Sequence, residues 1–225
     1  MIPIRDSVRS RRRPLFVYAI VAVNTLVFLN ELSMGREIVR FFYEYGLVAR
    51  EFWRADSLLD RFIPVVTSMF VHAGWVHFGG NMLYLWIFGD NVEDRMGHGR
   101  FLVFYLICGA LAALAQLIVN PNSTAPMVGA SGAIAGVLGA YLRMFPRSRI
   151  IAVVPVFFFF QLAEVPAAFF LVFWFFIQLA SGSLAFVAMQ QGGTAFWAHI
   201  GGFVAGFVLG PRFARRPKIE VLPPW

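Results

Sequence analysis

Long apolar blocks separated by short polar stretches set the pattern of this chain. The first block runs from about Leu15 to Leu32. A polar segment from Ser33 to about Trp75 follows, in which Glu37, Glu44, Glu51, Asp56 and Asp60 are balanced by five arginines. The second block begins near His77 and ends before GDNVEDRMGHGR, and the third covers residues 101–119, closed by the turn-forming NPNSTAP. The fourth begins around Val128 and stops at Arg143, and beyond RMFPRSR lies a short apolar stretch, Ile150 to Phe160. The fifth starts near Val165, and the sixth runs from about Phe196 to Leu209. This pattern predicts an all-α polytopic membrane protein whose six transmembrane helices form one bundle.

Several blocks are shorter than the roughly 20 residues a helix needs to cross the hydrocarbon, the fourth above all. A short helix is tolerated where its end lines a wet cavity instead of facing lipid. The fourth block opens with MVGASGAIAGVLGA, residues 127–140, where Ser131 carries the only hydroxyl. Its start is therefore expected in a depression.

Composition agrees with the membrane class. Of the 225 residues, 59% are hydrophobic and only 14% charged, with a mean hydropathy of +0.70. Soluble domains carry about 25% charged residues. Cys108, the single cysteine, cannot form an intrachain disulfide and reads as a packing residue. The net charge of +7 does not indicate a nucleic-acid partner, because its residues flank the apolar blocks. Arg5, Arg9, Arg11, Arg12 and Arg13 precede the first block, and Arg212, Arg215, Arg216 and Lys218 follow the last. The block behind the first arginines is longer than a signal-peptide core and lacks a small-residue cleavage site, so it reads as a retained span.

Arginine placement also predicts orientation. With the N-terminus cytoplasmic, the segments at residues 90–100 and 142–149 and the C-terminus are cytoplasmic too, and together these four segments hold 14 of the 19 basic residues. The NPNSTAP loop and the QQGGTA loop at 190–195 carry no charge and fall outside. The expected organisation is a basic cytoplasmic segment (1–13), a six-helix domain (14–213) and a cytoplasmic tail (214–225).

Strongly polar side chains within spans are costly and point to function. Here they are Asn24, His77, Asn81, Ser131 and His199. Of these, His77, Ser131 and His199 all start helices at the outer face, and Asn81 lies one turn further in. A serine becomes a useful nucleophile when an imidazole accepts its proton. His199 stands in FWAHIGGFVAGFVLG, where Gly202, Gly206 and Gly210 recur every four residues. The fourth block offers Gly132, Gly136 and Ala140 in answer, and two such small stripes allow close backbone contact. That packing would bring Ser131 beside His199. The plainer alternative is that Ser131 only packs and His199 satisfies a buried carbonyl.

Four residues apart, His77 and Asn81 share one helix face. With the Ser131 N–H they could hold the oxyanion that acyl transfer develops. A metal site on His72 and His77 is the rival, but no HExxH is present and no acidic third ligand is well placed, so no metal is expected.

At these residues the chain closely resembles the rhomboid intramembrane serine proteases. HFGGNMLYLWIFGDNVEDRMG (77–97) resembles the family's His-x-x-x-Asn helix and following loop, GASG (129–132) its nucleophile motif, and AHIGG (198–202) its histidine motif. The resemblance implies Ser131 as nucleophile, His199 as general base, His77 and Asn81 as oxyanion stabilisers and Gly129 as a substrate-binding position. It implies a dyad without a carboxylate, no cofactor, and transmembrane proteins admitted laterally from the bilayer as substrates. The compact six-span form implies a cell-membrane protein. Two departures stand out. Trp53-Arg54 lies well upstream of the position where many members carry Trp-Arg, and Ala135 replaces an aromatic that in some members stacks on the histidine.

Two other classes are distinguishable. A silent rhomboid-like binder or chaperone of client helices would typically lack the serine or the histidine, and both are present. A channel or transporter would need polar residues across the whole bilayer, whereas these gather in one half.

Overall fold

The structure is a computed structural model that describes residues 1–156, 159–187 and 195–215. Strand β1 (Ile2–Asp6) leads into helix α1 (Leu15–Ser33). The polar segment then folds into three short helices, α2 (Ile38–Tyr45), α3 (Ala49–Arg54) and α4 (Leu58–Thr67), with strand β2 (Leu47–Val48) between the first two. Helices α5 (Trp75–Met96) and α6 (His98–Val119) follow. Between them stands Gly97 alone, at φ +83°, a left-handed value that a side chain would resist. Strand β3 (Pro126–Met127) pairs with β2 and precedes α7 (Ser131–Met144). A hairpin, β4 (Arg149–Val156) and β5 (Phe159–Pro166), leads to α8 (Ala167–Val187) and α9 (Phe196–Phe213).

Helix α7 is the centre of the packing, with every residue from Gly132 to Tyr141 buried. Its 14 residues rise only about 21 Å, short of a hydrocarbon core of about 30 Å. A helix that is apolar all round belongs inside a protein core. By contrast α1, α6 and residues Ala167–Leu184 of α8 are long and apolar enough to cross a bilayer alone. The pair Leu58–Phe70 and Trp75–Met96, bent by 85°, makes a fourth candidate. Helices α7 and α9 are not among the candidates, so length and apolarity alone give three or four crossings among the described residues.

The fold is mainly helical but not all-helical, which corrects the sequence expectation. β1, β4 and β5 form an antiparallel sheet in the order β1-β4-β5, with Ile2 opposite Val153 and Arg149 opposite Pro166. The stretch RIIAVVPV is rich in β-branched residues, and Pro155 bars a helix there. Near this sheet, Asp6 accepts hydrogen bonds from Asn91 Nδ2 at 2.9 Å and from the Tyr141 hydroxyl, tying β1 to α5 and α7. Glu93 is fully buried and accepts the N–H groups of Phe16 (3.0 Å) and Val17 (2.8 Å), so it satisfies the unpaired start of α1.

The segment before α5 docks through its own apolar residues. Leu47, Ala49, Phe52, Val65 and Met69 pack with Ala113 and Leu117 of α6. The Thr67 hydroxyl donates to the Tyr45 carbonyl at 2.7 Å. Trp53 is exposed and meets Phe52 edge-on, and the displaced Trp-Arg pair is not among the residues of this cluster. Residues 190–194 of the expected external loop, and the tail from Arg216 onward with Lys218, lie outside the described residues.

Candidate active site

Ser131 is the first residue of α7, so its backbone N–H has no partner within that helix. The turn before it is fixed by Gly129, whose N–H donates to the Ser68 carbonyl at 2.8 Å. At φ +123° Gly129 adopts a conformation that L side chains rarely take.

His199 sits in the first turn of α9. It reaches Ser131 because α7 and α9 touch backbone to backbone. A Cβ at Gly202 would overlap the Gly132 carbonyl, one at Gly206 the Gly136 carbonyl, and one at Gly139 the Phe203 carbonyl. No side chain separates the two helices along this seam.

The outcome is a hydrogen bond of 2.7 Å between Ser131 Oγ and His199 Nε2. On the other side of the ring, His199 Nδ1 lies 2.8 Å from Gln178 Oε1 on α8. Trp174, one turn earlier on α8, holds its ring centroid 6.0 Å from that of His199. The sequence reading placed Ser131 and His199 together but missed Gln178 and Trp174. The available signal was a carboxamide inside an otherwise strongly apolar helix.

His77 and Asn81 project from α5 into the same site. The Ala73 N–H donates to His77 Nδ1 at 3.4 Å, so a neutral His77 carries its proton on Nε2. That nitrogen faces Gly129, where a Cβ would stand 2.6 Å from it. The Asn81 amide nitrogen is buried and without a hydrogen-bond partner among the described residues. Ser131, His199, His77, Asn81, Trp174 and Gln178 all line one cavity of about 960 Å³.

The remaining candidates, Asn24 and His72, are not among the residues that line the cavity. Asn24 bonds back to the Ile20 carbonyl of its own helix at 2.7 Å and does not line the cavity. His72 donates its backbone N–H to Glu31 at 3.0 Å, and its ring centroid stands 5.2 Å from that of His77. Among the described residues no group of three or more His, Cys, Asp or Glu side chains is placed to hold a metal ion.

The family model for the Rhomboid domain matches residues 50–216. The chain belongs to the rhomboid family. Among curated relatives, Rhomboid protein 1, mitochondrial, of Saccharomyces cerevisiae is 30% identical over 86% of this chain and 52% of its own length. Rhomboid protease GluP of Bacillus subtilis is 35% identical over 61% of this chain and 26% of its own length. RHOMBOID-like protein 1 of Arabidopsis thaliana is 34% identical over 68% of this chain and 34% of its own length. The chain thus spans about half or less of the length of these relatives. With family membership and its long apolar helices, this rhomboid is a multi-pass membrane protein.

Proposed function

We propose that this rhomboid is an intramembrane serine endopeptidase that cleaves transmembrane segments of other membrane proteins. The observation that carries the reading is the 2.7 Å contact of Ser131 Oγ with His199 Nε2 on the wall of a large cavity. Ser131 Oγ attacks the scissile carbonyl carbon while His199 Nε2 takes the hydroxyl proton. The oxyanion settles on the His77 Nε2–H, the Asn81 amide and the Ser131 N–H, donors fixed in place before the charge develops. Collapse breaks the C–N bond, and His199 returns the proton to the leaving amine. Water from the cavity then hydrolyses the acyl-enzyme by the same relay. Gly129, which lines the same cavity, is proposed as a substrate-binding position.

The proposed frame is a six-helix domain over residues 14–213, flanked by a basic segment (1–13) and a tail (214–225). Both termini are cytoplasmic and the site faces the outer leaflet of a cell membrane, an orientation supported by the clustering of arginines. The name of GluP supports a protease, and the mitochondrial name of the yeast relative makes fractionation of the host cell the check on compartment.

The test uses purified protein with a tagged transmembrane substrate. Cleavage is expected from the wild type and is expected to fall by about 10⁴-fold or more in Ser131→Ala and His199→Ala. Cleavage that survives Ser131→Ala overturns the reading, as does a wild type that binds the substrate without cutting it.

A further inference from the structure

We propose that Gln178 is a positioning residue: its carboxamide oxygen, carried on α8, selects the His199 tautomer able to take a proton from Ser131. This rests on the dyad reading above. A neutral imidazole has one N–H and one lone pair. If Ser131 is to give its proton to Nε2, the lone pair must be there and the ring proton on Nδ1. That proton then needs an acceptor, and Gln178 Oε1 stands 2.8 Å away.

In Ser-His-Asp sites a carboxylate performs this task. Among the described residues no Asp or Glu lines the cavity. A carboxamide oxygen accepts the Nδ1–H without placing an unpaired charge in a low-dielectric interior. The chemistry also fixes which way the amide faces. Were its NH₂ turned toward the ring, Nδ1 would have to accept and Nε2 would carry the proton, leaving nothing to receive the Ser131 hydroxyl.

Helix α8 provides two restraints from one face. Trp174 and Gln178 are four residues apart, hence neighbours on the helix surface. Trp174 flanks the imidazole, while Gln178 holds its nitrogen. They take up a task that α7 cannot perform, because the residue one turn after Ser131 is the fully buried Ala135. The other side of α8 exposes Phe169, Phe173 and Phe176. The histidine is thus held by a different helix from either of those that set its distance to the serine.

Three purified proteins test this: wild type, Gln178→Leu and Gln178→Glu. Each is assayed for kcat and KM on the tagged substrate and for labelling of Ser131 by a fluorophosphonate. The tautomer of His199 is read by ¹⁵N NMR of histidine-labelled protein. Gln178→Leu is expected to lower kcat about tenfold or more with KM held within about twofold, and to show Nε2–H tautomer absent from the wild type. Gln178→Glu keeps an acceptor and is expected to retain the Nδ1–H tautomer and most of kcat. A Gln178→Leu protein that matches an active wild type in kcat and tautomer overturns the positioning role and leaves the dyad standing. Should Gln178→Leu fail to fold, a Gln178→Glu protein that folds yet loses the Nδ1–H tautomer overturns it as well. A wild type unlabelled at Ser131 and inactive overturns the dyad reading, and the positioning role with it.

Discussion

The imidazole of His77 lies against the backbone of Gly129, so close that a Cβ at 129 would stand 2.6 Å from Nε2. The nucleophile turn and the donor that faces it are therefore fitted through an absent side chain. Gly129→Ala is expected to push His77 away and to strain a backbone held at φ +123°, a cost of about 1–3 kcal/mol. Labelling of Ser131 and substrate cleavage should both fall by at least about tenfold. Unchanged labelling would show that the turn tolerates the added methyl.

Asn81 should separate activity from stability. Its amide nitrogen is buried and unpaired among the described residues, so removing it leaves no broken bond in the resting protein. Asn81→Ala is expected to keep or slightly raise the melting temperature while kcat falls by about 10²-fold and KM stays within about twofold. A drop in melting temperature with unchanged kcat would assign Asn81 to structure.

The seam between α7 and α9 makes the opposite prediction. Gly206→Val must force the Gly136 carbonyl away, and is expected to lower stability by about 3 kcal/mol or more and to abolish cleavage. Gly79→Ala, where an added Cβ meets nothing, is the control and should be neutral or stabilising by about 0.5–1 kcal/mol. Detergent-solubilised melting curves with parallel cleavage assays decide both.

Asp6 gives a pH test at the far end of α7. Burial raises its carboxyl above the ordinary 3.8, against the opposing pull of hydrogen bonds from Tyr141 and Asn91. A group raised in the folded state contributes stability that is whole below its unfolded value and is lost as pH climbs through the raised one. Melting temperatures of wild type and Asp6→Asn should be similar near about pH 4, with the wild type falling behind as pH rises toward about 7. A difference that does not change with pH would show that the Asp6 carboxyl ionises alike in the folded and unfolded protein.

The meeting of Ser131 and His199 was legible because glycine spacing reports a helix face, and Gly202 and Gly206 answer Gly132 and Gly136 directly. The contribution of α8 was not. Gln178 sits in a helix of aromatics whose periodicity does not say which neighbour each face meets, and its partner is 21 residues away. The sheet was hidden for a similar reason. Ile2 to Asp6 looks like the edge of a basic segment, and only its pairing with Ile150–Val153, distant in sequence, makes it a strand. The helices α2, α3 and α4 fell inside what reads as a polar segment, because each is only a few turns long and buries few residues.

The glycine seam also determines what a changing bilayer can do to this protein. Two main chains in direct contact have no rotamers to adjust and no gap to close, so the backbones that carry the serine and the imidazole keep a fixed spacing. Thinning or stretching of the lipid therefore acts first on the aromatic-studded eighth helix, through its exposed rings. The helix backbones would keep their separation while the ring, restrained from the eighth helix, turns relative to the serine, so lipid thickness should tune turnover through the angle of the imidazole.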